Sequence, residues 1–565
     1  NRVIVTKSMN YPSIPLAQTA VALCEHAGLK HIVISPGSRN APLTIGFTEN
    51  PFFKTYSVVD ERCAAFFALG IAQQTHEPVA LLCTSGSALL NYYPAIAEAY
   101  YSRVPLVVLS ADRPSEFIDI GDGQTIRQPN VFENHIFYNA NCVEEEAEML
   151  YNQEVIYTAL QTARQEMGPV HINLPFSEPL YEKTKEKLAY LDKSNLPKLA
   201  DKAWGPEVTE THRKQWNTAK KKLVLVGVLA PNSLEQRWID NLMEDPSVLV
   251  LTESTSNLKG SRVIPTIDML LEGLSEDQRK SLQPDLLLTV GGLIVSKKIK
   301  SFLRTYSPSI HWHVDPYGPL DTYFVLSTYF KSPVQDFLKS ILPSEPKLND
   351  TYQEEFWNVY QKRIARRSEF TEDVPFSDFG AYHRIFDQLP ENIQLQLSNS
   401  ATVRYGQLFS LPETTSVFCN RGTSGIDGST STAVGAAVAS DKQTLLLTGD
   451  LSFFYDSNAL WNANTPKNFR IIIINNSGGG IFRIIPGPKQ AEKFTEYFET
   501  KHELTARHLA EMYHYEYLAV DDYNSLEIAL SNFYEESNTP KIMEIFTPRE
   551  INETILQNYF KFIQE

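Results

Sequence analysis

Cysteine is scarce in this chain. Its five thiols, Cys24, Cys63, Cys83, Cys142 and Cys419, are scattered over 565 residues with no CxxC pair. An odd, dispersed set excludes a disulfide framework and a structural zinc site, and it suits a reducing, cytoplasmic setting. Each thiol is expected as a small buried apolar group. Long apolar runs are missing as well. The longest, such as Ile471–Ile474 and Val104–Leu109, have strand length, far below the roughly 18–20 residues that cross a bilayer. Asn1–Lys7 leads into no apolar core, so no export signal is expected. Positive charge is in deficit: 51 Lys and Arg against 67 Asp and Glu give a formal charge of −16. That balance opposes nucleic acid or an anionic membrane as a partner. Small anionic substrates stay possible if Arg and Lys gather locally. No repeat of solenoid period and no low-complexity segment is present.

What is present is a long run of α/β units. The length exceeds what one hydrophobic core supports, so two to four domains are expected. Short apolar runs followed by helical patterns predict parallel sheets. Strands are expected at His31–Ser35, Tyr56–Val59, Val79–Cys83 and Val104–Leu109, then at Leu223–Val228, Val248–Thr252, Leu286–Val290 and His311–Val314. The last third adds Ile393–Leu397, Ser416–Cys419, Thr444–Thr448, Arg470–Ile474 and Ile542–Phe546. Over Glu61–Thr75, Ala64, Phe67, Ala68 and Ile71 follow the i, i+3, i+4, i+7 spacing of an amphipathic helix. Residues 182–222 and 343–372 are polar and charged; the first reads as an exposed linker, and Phe356, Val359 and Tyr360 suggest a helix in the second. Three α/β domains follow, at 1–185, 186–345 and 346–565.

The strongest local signal is Gly449-Asp450-Leu451-Ser452, with Asn475-Asn476-Ser477-Gly478-Gly479 beginning 25 positions after Asp450. Each piece follows an apolar run and so sits at a strand C-terminus, where open α/β sheets bind ligands. A glycine beside an aspartate lets backbone N–H groups approach a phosphate while the carboxylate holds a hard cation. An Asn carbonyl and a backbone carbonyl from the second strand would complete an oxygen shell for Mg²⁺. Taken singly, GD and NN are common turn dipeptides; the spacing after two apolar strands is what carries the signal. Asp60-Glu61-Arg62 stands where a strand gives way to a helix, a place where a carboxylate is also favoured by the helix dipole alone.

The GD…NN arrangement resembles the cofactor motif of thiamine-diphosphate (ThDP) enzymes, with Leu451 in place of the third residue of the usual GDG. The resemblance implies that Asp450, Asn476 and the carbonyl of Gly478 ligate Mg²⁺ (or Mn²⁺), and that Gly449, Leu451 and Ser452 lie against the diphosphate. It also implies that Glu61 hydrogen-bonds N1′ of the aminopyrimidine and so promotes loss of the C2 proton. Three further segments narrow the family: Ser35-Pro36-Gly37-Ser38-Arg39, Ala111-Asp112-Arg113-Pro114 with Gln124 soon after, and Asn420-Arg421-Gly422-Thr423-Ser424-Gly425-Ile426-Asp427-Gly428. With Asp60–Gly70 they closely resemble the MenD family of menaquinone biosynthesis, from about residue 15 to 565 and most weakly in the middle third.

That resemblance implies decarboxylation of 2-oxoglutarate and 1,4-addition of the resulting succinyl carbanion to isochorismate. Both substrates are dicarboxylates, for which the planar fork of arginine is well suited. The matching substrate contacts are Arg39, Arg113, Gln124, Lys297, Lys298, Ser400, Arg404 and Arg421, with Arg39, Gln124, Arg404 and Arg421 beside Glu61 at the reacting centre. Ile426 matches an apolar wedge under the cofactor; Phe482 and Ile485 match an apolar wall. Gly123 and Arg483 depart from the family's usual residues, the first losing a polar contact and the second adding positive charge near the wall. The family implies three domains, pyrimidine-binding, central and diphosphate-binding, with the cofactor between two subunits of a homodimer or homotetramer. Other readings are a different ThDP enzyme, such as an acetolactate-synthase-like carboligase or a 2-oxoacid decarboxylase, a non-catalytic ThDP binder, which would not need Glu61, and a nicotinamide oxidoreductase. The last fails because Ser477–Gly480 lacks the G-x-G-x-x-G spacing.

Overall fold

The computed structural model describes residues 9–342, 350–485 and 487–565. Three six-stranded, all-parallel sheets succeed one another along the chain. The first contains β1 (His31–Ile34), β2 (Lys54–Ser57), β3 (Val79–Cys83), β4 (Leu106–Asp112), β5 (Asn139–Asn141) and β6 (Val170–Pro175). The second contains β7 (Lys222–Val226), β8 (Val248–Leu251), β9 (Val263–Ile264), β10 (Leu286–Val290), β11 (Ile310–Val314) and β12 (Thr328–Phe330). The third contains β13 (Gln394–Leu397), β14 (Ser416–Cys419), β15 (Thr444–Gly449), β16 (Arg470–Asn475), β17 (Glu516–Val520) and β18 (Lys541–Phe546). Their central strands are buried throughout, as the Ile/Leu/Val runs require of sheets covered on both faces.

Strand order separates the outer sheets from the middle one. The first runs β2-β1-β3-β4-β6-β5 and the third β14-β13-β15-β16-β18-β17, the same winding twice. The second runs β9-β8-β7-β10-β11-β12, the order of a dinucleotide-binding sheet. In the third sheet the direction of winding reverses between β13 and β15, so their C-terminal ends border the crevice where such sheets take ligands.

The helices needed below are α1 (Glu61–Thr75), α2 (Lys297–Thr305), α3 (Tyr352–Glu372), α4 (Asp378–Asp387), α5 (Ala401–Tyr405), α6 (Ser429–Ala439), α7 (Asp450–Tyr455) and α8 (Asn552–Phe562). α1 has the expected bounds, and Ala64, Phe67, Ala68 and Ile71 are all buried. Its N-terminus is capped by Asp60, which accepts from the N–H groups of Arg62 and Cys63. α6 is built almost wholly of small residues, STSTAVGAAVA, and holds its shape by packing on α1. The two backbones touch: a Cβ on Gly70 would fall 2.0 Å from the carbonyl oxygen of Thr432, and one on Gly435 2.0 Å from that of Phe67. This contact joins the first sheet's layer to the third's.

The middle unit is clipped to the third at two points. Ser254 and Gln407 exchange two hydrogen bonds, and Asn257 gives and takes one from the backbone of Val417. The linker region is more firmly held than its polar composition suggests. Gln18 takes the N–H of Leu188, Gln153 donates to the carbonyl of Tyr190, and Gln161 to that of Pro197, strapping it along the first unit. The helix expected around Phe356 is α3; residues 343–349 lie outside the described part. All five cysteines are free and Cys419 alone is not fully buried. Among the described residues no helix is long and apolar enough to cross a membrane.

Candidate active site

The loops after β13, β14, β15 and β16 meet at one rim. Three of them hold a non-glycine residue in the left-handed region, Ser400 (φ 68°), Ser424 (φ 62°) and Ser477 (φ 64°). Conformations of this kind are uncommon outside functional loops. Gly449 closes β15, and a Cβ there would meet nothing within 4 Å, so the backbone at this point faces open space. Asp450 follows, only 3% exposed. Its Oδ1 accepts from the N–H of Leu451, and its Oδ2 from the N–H of Gly478 at 3.0 Å and Nε2 of His502 at 3.0 Å. The two halves of the motif are thereby joined directly. Asn476 is buried and donates Nδ2 to Asp378 Oδ2 at 2.8 Å. Its Oδ1 meets no donor among the described residues. A carboxylate, an amide oxygen and the Gly478 carbonyl form an all-oxygen donor set, which suits a hard divalent cation. Among the described residues no three His, Cys, Asp or Glu side chains converge into a metal cluster of their own. Ser452 Oγ donates to the carbonyl of Ile426 at 2.7 Å, tying α7 to the loop after β14. The residues at this rim therefore fit a cation-bound diphosphate.

Arg404, on α5, stands close to Arg421, after β14: burial depresses the Arg404 pKa most, and the Arg421 charge next. Among the described residues the Arg404 guanidinium makes no hydrogen bond or ion pair. Arg421 donates Nη1 to Asn399 Oδ1 at 2.8 Å, while its buried Nε has no partner among the described residues. Cations left unpaired in a half-buried crevice demand an anion. Ser400 lies at the start of α5 without capping it. Lys297 is exposed; Lys298 is ion-paired with Glu272 and lies over the ring of Phe560. The lysine of α2 that shares the electrostatic field of Arg404 and Arg421 is Lys300, whose pKa burial depresses first and those two arginines further. Under this helix sits Glu253, fully buried, accepting from the N–H groups of Val295 and Ser296. Burial pushes its pKa up to about 7.

The first unit contributes a separate group. Glu61 opens α1 with its pKa raised chiefly by burial. Arg39 is 6% exposed and donates to the carbonyl of Phe176 at 2.8 Å. Arg113 pairs with Asp122 at 3.2 Å and keeps a buried Nε unpartnered. Arg39 and Arg113 share one field, since the Arg113 charge follows burial as a cause of the lowered Arg39 pKa. Gln124 is itself left-handed (φ 58°); its Nε2 donates to the carbonyl of Ser85, and its own carbonyl accepts from Ser85 Oγ. Gly123 stands in open space, where a side chain would meet nothing. Among the described residues no hydrogen bond or ion pair joins Glu61, Arg39, Arg113 or Gln124 to Asp450, Asn476, Arg404 or Arg421.

Phe482 and Ile485 lie in the loop after β16, and Phe482 packs edge-on against Phe498. Arg483, expected to add positive charge here, does not leave that charge free. It forms a bidentate pair with the fully buried Glu499, which also takes Arg549. Sequence reasoning missed Asp378, His502, Glu253 and Lys300. Each is remote in the chain from the motif residue it serves, and no local pattern marks it.

The family models "Thiamine pyrophosphate enzyme, N-terminal TPP binding domain", "Middle domain of thiamine pyrophosphate" and "Thiamine pyrophosphate enzyme, C-terminal TPP binding domain" match residues 15–136, 186–397 and 400–545. The fold is thus that of a thiamine-diphosphate enzyme. The chain is 52% identical over 560 residues to the 2-succinyl-5-enolpyruvyl-6-hydroxy-3-cyclohexene-1-carboxylate synthase of Flavobacterium psychrophilum, covering 98% of this chain and all of that one. It is 50% identical over 557 residues to the synthase of Flavobacterium johnsoniae, again 98% and all. It is 38% identical over 559 residues to that of Phocaeicola vulgatus, covering 96% and 97%. The chain belongs to the 2-succinyl-5-enolpyruvyl-6-hydroxy-3-cyclohexene-1-carboxylate synthase family, the MenD family of ThDP-dependent enzymes.

Proposed function

We propose that this enzyme decarboxylates 2-oxoglutarate and adds the succinyl unit in 1,4 fashion to isochorismate, giving 2-succinyl-5-enolpyruvyl-6-hydroxy-3-cyclohexene-1-carboxylate in menaquinone biosynthesis in the cytoplasm. The observation that carries the substrate reading is the pair Arg404 and Arg421 beside the diphosphate rim, one guanidinium unpaired and the other with a buried, partnerless Nε. When bound, ThDP supplies the electron sink for loss of CO₂. Asp450, Asn476 and the Gly478 carbonyl would hold Mg²⁺, or Mn²⁺ in its place, and Gly449, Leu451 and Ser452 would receive the diphosphate. Glu61 holds the proton at the aminopyrimidine nitrogen. Its partly desolvated carboxyl favours the protonated form more than an exposed one would.

Arg404 and Arg421 pair with substrate carboxylates, and Arg39, Arg113, Gln124, Lys297, Lys298 and Ser400 are the further substrate contacts. Ile426, Phe482 and Ile485 exclude water around the reacting atoms. The units at 1–185, 186–345 and 346–565 act as pyrimidine-binding, central and diphosphate-binding domains. The cofactor site is completed by a second subunit, in a homodimer or a pair of dimers.

A competition between donors tests the substrate reading. Pyruvate has no distal carboxylate and would leave a half-buried guanidinium unpaired. Losing one charge-assisted hydrogen bond costs about 1.5–3 kcal/mol, or roughly ten- to hundredfold in kcat/KM. With both donors in one vessel and products resolved by mass, the 2-oxoglutarate product should dominate. Arg404→Ala should narrow the gap by harming 2-oxoglutarate. Pyruvate winning in the wild type would overturn the assignment.

A further inference from the structure

We propose that Asp378 is a positioning residue that fixes which way the Asn476 amide faces, presenting Oδ1 to the cation; this rests on the metal reading above. Asp378 begins α4, just after Ser377, whose hydroxyl caps the helix by accepting from the N–H of Gly380. Its own N–H goes to Asn552 Oδ1 at 2.8 Å, at the start of α8. The carboxylate is 3% exposed and spans two neighbouring strand ends. Oδ1 accepts from Thr547 Oγ1 at 2.5 Å, just beyond β18, and Oδ2 accepts from Asn476 Nδ2 at 2.8 Å, just beyond β16.

The chemistry of the contact decides the amide's orientation. The two ends of an Asn amide are nearly equal in size, so packing cannot tell them apart. An ionised carboxylate, however, only accepts hydrogen bonds, and the amide must turn its NH₂ toward it. With Nδ2 committed to Asp378, Oδ1 faces the other way, and no donor among the described residues takes it. Without Asp378 the amide is free to rotate by half a turn and offer NH₂ to the cation, which has nothing to gain from a donor. Thr547 holds the carboxylate from the far side, so the orientation is set by two strands and one helix at once. Partners that orient metal ligands in this way typically contribute 10- to 100-fold in metal affinity. Asp378 lies far upstream of both halves of the GD…NN motif and belongs to neither.

The test is a titration of the ThDP-saturated enzyme with Mn²⁺, following the free ion by electron paramagnetic resonance. Asp378→Ala should weaken Mn²⁺ binding by about 10- to 100-fold, with the circular dichroism of the metal-free protein retained. Asp378→Asn can still offer an amide oxygen to Asn476 while Thr547 turns to accept, so it should recover most of the affinity. Asn476→Ala and Asp450→Ala serve as references. If Asn476→Ala weakens Mn²⁺ binding and Asp378→Ala does not, the role of Asp378 is refuted while the metal site stands. If neither reference variant weakens it, the metal reading is wrong and this inference falls with it. Should Asp378→Ala fail to fold, Thr547→Val releases one side of the same carboxylate and should shift Mn²⁺ affinity in the same direction; wild-type affinity in that variant refutes the proposal.

Discussion

Arg483 holds the fully buried carboxylate of Glu499 in a bidentate pair, Nε to Oε1 at 2.5 Å and Nη2 to Oε2 at 2.9 Å. Arg549 adds a third bond at 2.8 Å, and the backbone carbonyl of Glu499 takes the N–H of Gly479. The pair therefore latches the loop that carries Gly478 and Phe482. Burial works to raise the Glu499 pKa, but the two guanidiniums outweigh it and hold the carboxyl below its usual 4.5. Its contribution is thus present above that value and is lost as pH falls through the lowered one.

Glu499→Gln would leave two guanidiniums facing a neutral amide. Removing one partner of a buried pair typically costs about 3–5 kcal/mol. The expected result is faster proteolytic cleavage between residues 480 and 500 at neutral pH, with the rest of the chain resistant. Cleavage at the wild-type rate would show that the latch is not needed.

Glu253 sets an opposite pH dependence. Burial raises its pKa from 4.5 to about 7, only partly offset by the N–H groups of Val295 and Ser296. A carboxyl raised on folding stabilises the native state fully below its unfolded pKa, and that contribution is lost as pH climbs through the folded value. Between about pH 4.5 and 7 the wild type should therefore lose stability from this group. Glu253→Gln removes the titration, so the variant's unfolding temperature should fall less than the wild type's over that interval. Parallel curves would rule Glu253 out as the titrating group.

Gly70 tests the contact between α1 and α6. Replacing glycine by alanine within a helix ordinarily gains about 1 kcal/mol. Here the new methyl would lie 2.0 Å from the Thr432 carbonyl oxygen, and backbone cannot yield as a flexible side chain does. Overpacking of this kind costs about 1–3 kcal/mol. Gly70→Ala should lower the unfolding temperature and weaken ThDP binding together, since α1 carries Glu61; a more stable variant would contradict the close packing.

Glu61→Gln separates cofactor binding from cofactor activation. The amide keeps the shape and a hydrogen bond but cannot supply the acid–base function, whose removal typically costs about 10²–10⁴ in rate. ThDP should still bind, measured by calorimetry, while deuterium exchange at its C2 position slows by that factor. Exchange at the wild-type rate would remove Glu61 from the mechanism.

Much of this was legible because the informative residues are local. Val79–Cys83, Leu286–Val290, Ser416–Cys419 and α1 have the bounds their apolar patterns predict, and the residues of GD…NN stand where two such strands end. The strands that escaped notice lack that signal. β5 is Asn-Ala-Asn, and β17 is an edge strand with exposed positions. β6 is buried but carries His171 and Asn173, which look polar in sequence; Asn173 and Nε2 of His171 find their partners in Ser110, Gln128 and Asp112 from elsewhere in the fold. The same limit hid Asp378 and Glu253. Their roles come from partners on other elements, and a buried carboxylate resembles a surface one until those partners are placed. Arg483 shows the converse, a residue whose charge stands out in the sequence and is matched in the fold.

The most direct test of the proposed activity is product formation by the purified enzyme with ThDP, Mg²⁺, 2-oxoglutarate and isochorismate. CO₂ and 2-succinyl-5-enolpyruvyl-6-hydroxy-3-cyclohexene-1-carboxylate should form in equal amounts, the latter identified by mass and absent when isochorismate is withheld. Consumption of 2-oxoglutarate without that adduct, or an adduct formed only from pyruvate, would contradict the proposed activity.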